Sequence, residues 1–395
     1  MSDQRFYVIG ITDEQECFFT PEISRIISEG KVFSGGKRHY EIVKDFLPYD
    51  SEWINITVPL DKVFNAYNNH PEIVVFASGD PLFFGFATTI QKRIPNAEIK
   101  VFPAFNSLQM LAHRMVIPYQ DMHTVSLTGR PWDEFDKALI EGRKKIGSLT
   151  DRHKTPACIA ARMLEFGYDN YQITVGELLG NEELEQVRTY TLKDASEMEF
   201  AFPNCIILQQ ITSRNRPFGI PESEFHLLNG RVNMITKMPY RLLSLSMLDL
   251  YNKTSFWDIG FCTGSVSIEA KLQFPHLKIH SFEQREEGRE LMELNARKFG
   301  TPGIETHIGD FLETDITEIP QPDAVFIGGH GGKMIEILQK VNEVLLPGGI
   351  IVFNAVSENS IRLFQEGIEQ IHRTITKQIH LEVDSFNPIE IFKAE

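Results

Sequence analysis

The chain has 395 residues, 42% hydrophobic and 24% charged, which is enough for two or three compact domains and excludes a disordered chain. Its formal charge of −15 counts against a general nucleic-acid binder, because phosphate backbones are held mainly by clustered Lys and Arg. Any polyanionic ligand must therefore meet its positive charge in local pockets. The opening MSDQRFYVIG passes straight into a strand pattern without a basic-then-apolar leader, and no apolar run approaches the roughly 18 residues of a membrane span. A cytoplasmic protein with no membrane and no nucleic-acid partner is expected. Cys17, Cys158, Cys205 and Cys262 lie far apart without paired ligand spacing, so free thiols are expected rather than a disulfide framework or a zinc site.

In chain order, FYVIGI reads as a strand and a helix follows Thr20. The stretch VFSGGKRHYEIVKDFL then runs a strand into paired glycines and the basic trio Lys37, Arg38 and His39. Basic residues at a helix start oppose the macrodipole, which suggests a use other than capping. After the helical LDKVFNAYNNH, the run IVVFASGDPLFFGFA is a buried strand ending in small residues at Ser78, Gly79, Asp80 and Pro81. Aromatic residues then open a helix. Aromatic runs such as Phe83, Phe84 and Phe86 are more often core than binding site, but small residues before Asp-Pro open a slot between strand ends for a flat ligand. Proline also biases Asp80 towards an extended backbone. The segments PAFNSLQMLAHRM, VSLTGRP (with Arg130), MLEFGYDNYQITVGELLG and PNCIILQ follow. Positions 212–232 are rich in Pro, Gly and polar residues and read as a linker between domains at 1–211 and 233–395.

The second half is organised around WDIGFCTGSVSIEA. There a strand ends at Asp258, a tight loop runs Gly260, Phe261, Cys262, Thr263, Gly264, and a helix starts without a spare residue. Glycines admit a sharp turn and close ligand approach, and the free N–H groups of the helix favour an anionic group. KIHSFE reads as the next strand and ends at Glu283, nineteen positions after Gly264, near the interval at which an acidic side chain meets ribose hydroxyls. The loop has only the outer glycines of a dinucleotide fingerprint, so S-adenosylmethionine fits better.

GDPLFFG with GGKRHYE resembles the tetrapyrrole methylase family over about the first 210 residues, and within it the carbon-5 methylating domain of cobalamin biosynthesis. DIGxxTGSVSIEA, FIGGxGG and NAV, with MITKMPYR upstream, resemble the carbon-15 methylating, decarboxylating domain of the same pathway. The whole is similar to a decarboxylating precorrin methyltransferase that fuses the two. The resemblance implies an α/β protein: an N-terminal two-lobed tetrapyrrole methylase fold joined to a C-terminal Rossmann-like class I methyltransferase. It further implies S-adenosylmethionine as cofactor, a corrinoid substrate, methylation at carbons 5 and 15 with loss of carbon dioxide from the ring C acetate, and a homo-oligomer. On this resemblance Ser78 to Phe84 line one cofactor site, with Lys37, Arg38 and Arg130 on the substrate. Asp258 and Gly260 to Gly264 cradle the methionine end of a second cofactor, Glu283 its ribose, Asp310 the region near adenine, and Thr236 adds a contact. Lys237, Arg241, His330 and Lys333 are candidates for the macrocycle's carboxylates. No catalytic base and no decarboxylation residue is assigned.

Two departures stand out. The family's first loop carries G-x-G-P-G-D where this chain reads Gly10 to Gln15 as GITDEQ, so either the loop has a divergent shape or Asp13 serves from a shifted position. Cys262 stands where the second pattern has glycine. Two rival readings remain: an N-terminal half that only binds corrinoid, and an RNA or DNA methyltransferase. NAVS at Asn354 lacks the N/D-P-P-Y/F pattern that the latter would use.

Overall fold

The computed structural model describes residues 4–12, 19–229, 231, 233–384 and 386–395. The chain is α/β throughout, and its contacts divide it into two units. The first comprises Met1–Arg130, Lys144–Ala161 and Tyr171–Ile211; the second comprises Pro131–Arg143, Arg162–Asn170 and Thr212–Glu395.

The first unit holds two five-stranded sheets. One contains β1 (Arg5–Ile11), β2 (Val32–Gly35), β3 (Glu52–Asn55), β4 (Glu72–Ser78) and β5 (Glu98–Phe102) in the order β3-β2-β4-β1-β5. All its pairings are parallel. Strands of such a sheet are covered on both faces, which is why β4 reads as the unbroken apolar run IVVFA, all five residues buried. The other sheet contains β6 (His123–Ser126), β7 (Lys145–Leu149), β8 (Tyr171–Glu177), β9 (Gln186–Thr191) and β10 (Asn204–Gln210) in the order β6-β7-β10-β8-β9, and only β6–β7 is parallel. The helix Ser107–Met115 starts on a capping box between Asn106 and Gln109.

The second unit is built on a seven-stranded sheet. Its strands are β11 (Ser255–Ile259), β12 (Lys278–Glu283), β13 (Ile304–Ile308), β14 (Ala324–Ile327), β15 (Ile350–Ala355), β16 (Ile375–Leu381) and β17 (Ile389–Ala394), in the order β13-β12-β11-β14-β15-β17-β16. The first five run parallel, and the β16–β17 hairpin closes the far edge antiparallel. Strand order reverses between β12 and β14 around β11, the switch point at which a doubly wound sheet opens a crevice beyond its carboxyl ends.

From Thr212 on, the Pro- and Gly-rich segment expected to link the halves belongs to the second unit. Glu269, buried on the helix Ser265–Gln273, accepts from Gly219 N at 2.7 Å and Ile220 N at 3.2 Å. Arg216 Nε donates to Leu272 O at 2.6 Å, and Ile220 and Phe225 are 2% and 5% exposed. The segment lacks helical or strand periodicity because side chains of its neighbours, rather than a ladder of its own, satisfy its backbone.

A fragment 212–395 should therefore melt well above a fragment 230–395. Burying Ile220 and Phe225 contributes about 3–6 kcal/mol together, and truncation leaves Glu269 without two donors. Denaturant midpoints of the two fragments check this; equal midpoints would show that the segment contributes nothing.

Candidate active sites

In the first unit a cavity of about 520 Å³ opens at the carboxyl ends of β1 and β4. The two ends meet backbone to backbone: a Cβ on Gly10 would sit 1.9 Å from Gly79 O, and Gly79 itself has φ +60°. Nothing larger than glycine fits either place without moving the sheet. Ser78, Gly79, Phe83 and Phe84 line the cavity as expected from the sequence, as do Arg38, Arg130 and Thr12. The Arg130 guanidinium lies 5.0 Å from the Phe84 ring centroid. Asp80, Pro81, Leu82 and Lys37 are not in the wall. Asp80 Oδ1 accepts from Leu82 N at 2.9 Å, so its carboxylate fixes the turn that presents Phe83 and Phe84. Lys37 is exposed on the first turn of the helix Lys37–Val43. Asp13 to Gln15, where an alternative acidic contact is expected, lie outside the described residues.

The basic trio is less basic than it reads. Burial, with the charge of Arg38 beside it, pushes His39 down to about 4, so its ring is neutral near pH 7. Its Nδ1 accepts from Gly36 N at 3.1 Å, and its Nε2 lies 2.9 Å from Ser78 Oγ. Arg38 Nη2 donates to the same Oγ at 2.8 Å. Among the described lining residues the cavity has two cations, Arg38 and Arg130, and no carboxylate.

The second unit has a cavity of about 760 Å³ beyond β11, β12 and β14. Gly260 turns there with φ +77°, and a Cβ on it would stand 2.6 Å from Gly329 N. Cys262 takes the left-handed conformation that its family position calls for, at φ +51°, although it is not glycine. The loop is fastened on both sides of it: Cys262 N donates to Glu283 Oε2 at 2.9 Å, and its thiol lies 3.0 Å from Met234 O. These contacts offset the roughly 1–2 kcal/mol that the conformation costs a residue with a Cβ.

Glu283 is 4% exposed and lines the cavity; its Oε1 accepts from Arg285 N and Arg285 Nη1, each at 3.0 Å. A carboxylate has about four acceptor sites; Cys262 N, Arg285 N and Arg285 Nη1 take three, which leaves one for a ligand hydroxyl. Gly260, Phe261, Cys262, Thr236, Lys237, His330, Lys333 and Asp310 also line the cavity. Asp258, Thr263 and Gly264 are not in the wall, and Asp258 and Thr263 are buried. Asp258 Oδ2 accepts from Ser267 Oγ at 2.5 Å and Ser267 N at 3.2 Å, while its Oδ1 and Thr263 Oγ1 are buried without a partner. Burial pushes Asp258 up to about 7.

The expected cations fare differently. Lys333 pairs with Asp310 at 2.7 Å, so an expected substrate contact and an expected cofactor contact are bonded to each other, and this holds the Asp310 carboxyl below its usual range. His330 Nδ1 accepts from Gly332 N at 3.1 Å and its Nε2 meets Ser360 Oγ at 3.1 Å, which engages both ring nitrogens. Arg241 is a correction. It is 0% exposed and spends its donors on Glu269 at 3.2 Å, on Thr236 O at 2.7 Å and on Ile220 O, so it braces the segment beneath the cavity and has no surface for a substrate. An arginine in the first turn of a helix looks alike in sequence whether it points to solvent or into the core.

The sequence reading missed Arg285, whose position two residues after Glu283 was the available signal, and Phe386 and Asn387, which the β16–β17 hairpin brings into the wall from far along the chain. It also passed over Asn354 as a contact, although Asn354 lines the cavity with its Nδ2 buried and unpartnered. On β12 and β13, His280, Glu305 and His307 converge. The nearest nitrogens of the two imidazoles lie 3.1 Å apart with the ring planes only 24° apart, the geometry of one N–H···N bond between neutral rings.

A glycine turn at the switch point of a parallel sheet, followed by a buried acidic strand end, is a nucleotide-cofactor arrangement, and the family model that this half matches makes it a class I S-adenosylmethionine-dependent methyltransferase. Residues 230–394 match the model of the precorrin methyltransferase domain, and residues 5–196 match that of the tetrapyrrole (corrin/porphyrin) methylases. The chain is 31% identical over 353 residues to a precorrin-6Y C(5,15)-methyltransferase [decarboxylating] of Sinorhizobium sp, covering 89% of this chain and 84% of that one. Its second half is 31% identical to the cobalt-precorrin-6B C(15)-methyltransferase (decarboxylating) of Salmonella typhimurium, covering 41% of this chain and 83% of that one. A solved precorrin-6y C5,15-methyltransferase structure from Geobacter metallireducens aligns at 30% identity with a TM-score of 0.42, covering 45% of this chain and 97% of that one. The chain belongs to the decarboxylating precorrin-6Y C(5,15)-methyltransferase family.

Glu283→Ala should weaken S-adenosylhomocysteine binding at the C-terminal site tenfold or more, because hydrogen bonds to a charged group contribute about 1.5–3 kcal/mol each. Calorimetry on the full chain reads this, and unchanged affinity at both sites would remove Glu283 from the site. Asp258 gives a pH signature. Its folded pKa of about 7 lies above the ordinary 3.8, so between these values the folded state binds more protons than the unfolded one. Stability should fall as pH rises from about 4 to 7, by on the order of 4 kcal/mol from this group. Asp258→Asn should flatten that slope in denaturant titrations at several pH values; an unchanged slope would mean that Asp258 is not the titrating group.

Proposed function

We propose that this chain methylates a precorrin-6B or cobalt-precorrin type corrinoid at carbons 5 and 15 and decarboxylates the ring C acetate. Carbon 5 would be served by the N-terminal cavity, and carbon 15 with the decarboxylation by the C-terminal one. The observation that carries this reading is the pair of separate cavities, each at the carboxyl ends of parallel strands, the second lined from within residues 230–394 and the first mostly from within residues 5–196. The cationic lining of the N-terminal cavity suits a substrate that carries many carboxylates.

S-adenosylmethionine fits the C-terminal cavity on two counts: a glycine turn at Gly260, packed so close to the Gly329 backbone that no Cβ fits, and a buried carboxylate at Glu283. When bound it supplies an electrophilic methyl group. Bridging carbons of a reduced macrocycle are enamine-like and need no covalent enzyme nucleophile, so the residues here position, desolvate and pair charges. Holding two reactants in near-attack geometry supplies roughly 7–11 kcal/mol. In the C-terminal cavity Lys237 and Arg285 face the ligand space, and His330, with both nitrogens engaged, orients rather than shuttles protons. The ring itself is the electron sink for loss of carbon dioxide. Cytoplasmic residence and a homo-oligomer accompany this reading as expectations, the latter checked by analytical ultracentrifugation. No helix among the described residues is long and apolar enough to cross a membrane.

A second reading keeps the N-terminal half as a corrinoid holder only, supported by the altered first loop after Gly10. Mass spectrometry of the product separates the two, since the first reading adds two methyl groups and removes one carbon dioxide. Asp80→Ala should lose the carbon-5 methyl and keep carbon-15 methylation and decarboxylation, because the turn carrying Phe83 and Phe84 loses its tie to Leu82 N. A variant that still delivers both methyl groups would discount that turn. An unmutated chain that delivers only one would favour the holder.

A further inference from the structure

Where a left-handed residue closes the end of a helix, as Val116 and His372 do, it completes the cap. Phe84 takes that conformation at φ +51° in a different place, two residues before the helix Phe86–Arg93 begins. A bulky side chain is strained there, and a glycine would not be. The same turn does use glycine one position on, where a Cβ on Gly85 would stand 2.4 Å from Pro81 O. Strain kept against so simple a relief points to a use for the side chain. Phe83 turns inward and packs on the cluster that holds Leu108, Leu111 and Cys205, whereas Phe84 is 37% exposed in the wall of the N-terminal cavity.

The Phe83 ring meets the Phe84 ring edge to face at 4.9 Å, and the Arg130 guanidinium carbon lies 5.0 Å from the Phe84 centroid. Arg130 follows a loop whose backbone is pinned: Gly129 N donates to Asp151 Oδ2 at 2.9 Å, and Asp151 Oδ1 accepts from His153 N and Lys154 N. The Arg130 side chain itself is long and exposed, and such a chain loses rotamer entropy when a ligand fixes it. Contact with a ring holds it in advance. That contact needs no N–H donor, so the guanidinium keeps its fork for a carboxylate. We infer that Phe84 is a positioning residue: its strained turn presents a ring that holds the Arg130 guanidinium at the cavity wall, where it receives one side-chain carboxylate of the corrinoid. A neutral macrocycle of the same shape could use the ring but not the cation, so the pair selects the polyanion. This holds on the reading of the cavity as the carbon-5 site.

Calorimetry on the full chain tests this with three probes: cobyrinate, a corrin carrying free carboxylates; its heptaamide, which has the same ring and no charge on those side chains; and S-adenosylhomocysteine. The C-terminal cavity, which the substitutions leave alone, is the internal reference. Arg130→Ala should weaken cobyrinate binding about tenfold at one site, the loss expected for a hydrogen bond to a charged group, and leave the heptaamide within about twofold. Phe84→Leu and Phe84→Met keep apolar bulk without the ring and should weaken cobyrinate about fivefold, in line with a cation over an aromatic face, whereas Phe84→Tyr keeps the ring and should stay within about twofold. In the Arg130→Ala background Phe84→Leu should change cobyrinate affinity by less than about twofold, because the ring acts through Arg130. A ring that only supports the fold would lose as much in both backgrounds. Equal loss in both backgrounds, unchanged affinity in Phe84→Leu and Phe84→Met, a loss that falls on S-adenosylhomocysteine and not on cobyrinate, or a heptaamide held as tightly as cobyrinate by the unmutated chain would each overturn the inference. Product mass from the unmutated chain tests the carbon-5 reading separately, so the two failures read differently.

Discussion

Both halves depend on the same constraint: at the carboxyl ends of their parallel strands, two stretches of backbone approach more closely than a Cβ allows. Gly10 against Gly79 sets this in the first unit and Gly260 against Gly329 in the second. Where backbones close up at one point, the strands on either side diverge around it, and the space beyond becomes a cavity floored by main chain rather than by side chains. Main-chain floors leave N–H groups and helix starts facing the ligand, and the walls are then free to carry the selective groups. The two cavities differ in those walls. One is aromatic with two arginines; the other has acidic groups, Glu283 and Asp310, each already held by a cation.

That second arrangement moderates the chain's overall acidity where it matters. A protein of charge −15 that takes an anionic ligand cannot expose bare carboxylates in its sites. Arg285 on Glu283 and Lys333 on Asp310 let these carboxylates keep their acceptor oxygens without presenting net charge. His39 shows the opposite economy, held neutral near pH 7 by burial beside Arg38 and so adding no charge.

Much of this was legible in the sequence because it is local. The glycine loop, the strand ending at Glu283 and the Gly-Asp-Pro turn are contiguous patterns whose meaning is set within a few residues, and Cys262 could be singled out because one position demanded an unusual φ. What escaped was set by distant partners. Arg241 faces inward because Glu269 and the carbonyl of Ile220 await it there, and Asp80 turns to its own backbone rather than the cavity. Positions 212–232 read as a linker because hydrogen bonds of their described residues go to side chains elsewhere in the fold, which periodicity cannot register. Phe386 and Asn387 enter the wall through the register of a terminal hairpin.

The Arg241–Glu269 pair has a consequence for how this sequence can change over time. Both side chains are 0% exposed, and removing one partner of such a pair strands a charge in the interior, whereas replacing both together by apolar groups of similar volume can be nearly neutral. Single steps at either position are therefore closed, and drift must pass through both at once. Because Glu269 also carries Gly219 N and Ile220 N, and Arg241 also carries Thr236 O and Ile220 O, a descendant that alters either one leaves three hydrogen-bonded groups to be satisfied anew. The helix that starts at the cofactor loop, the helix Met238–Met247 and the segment before it are thus tied into a single unit of variation.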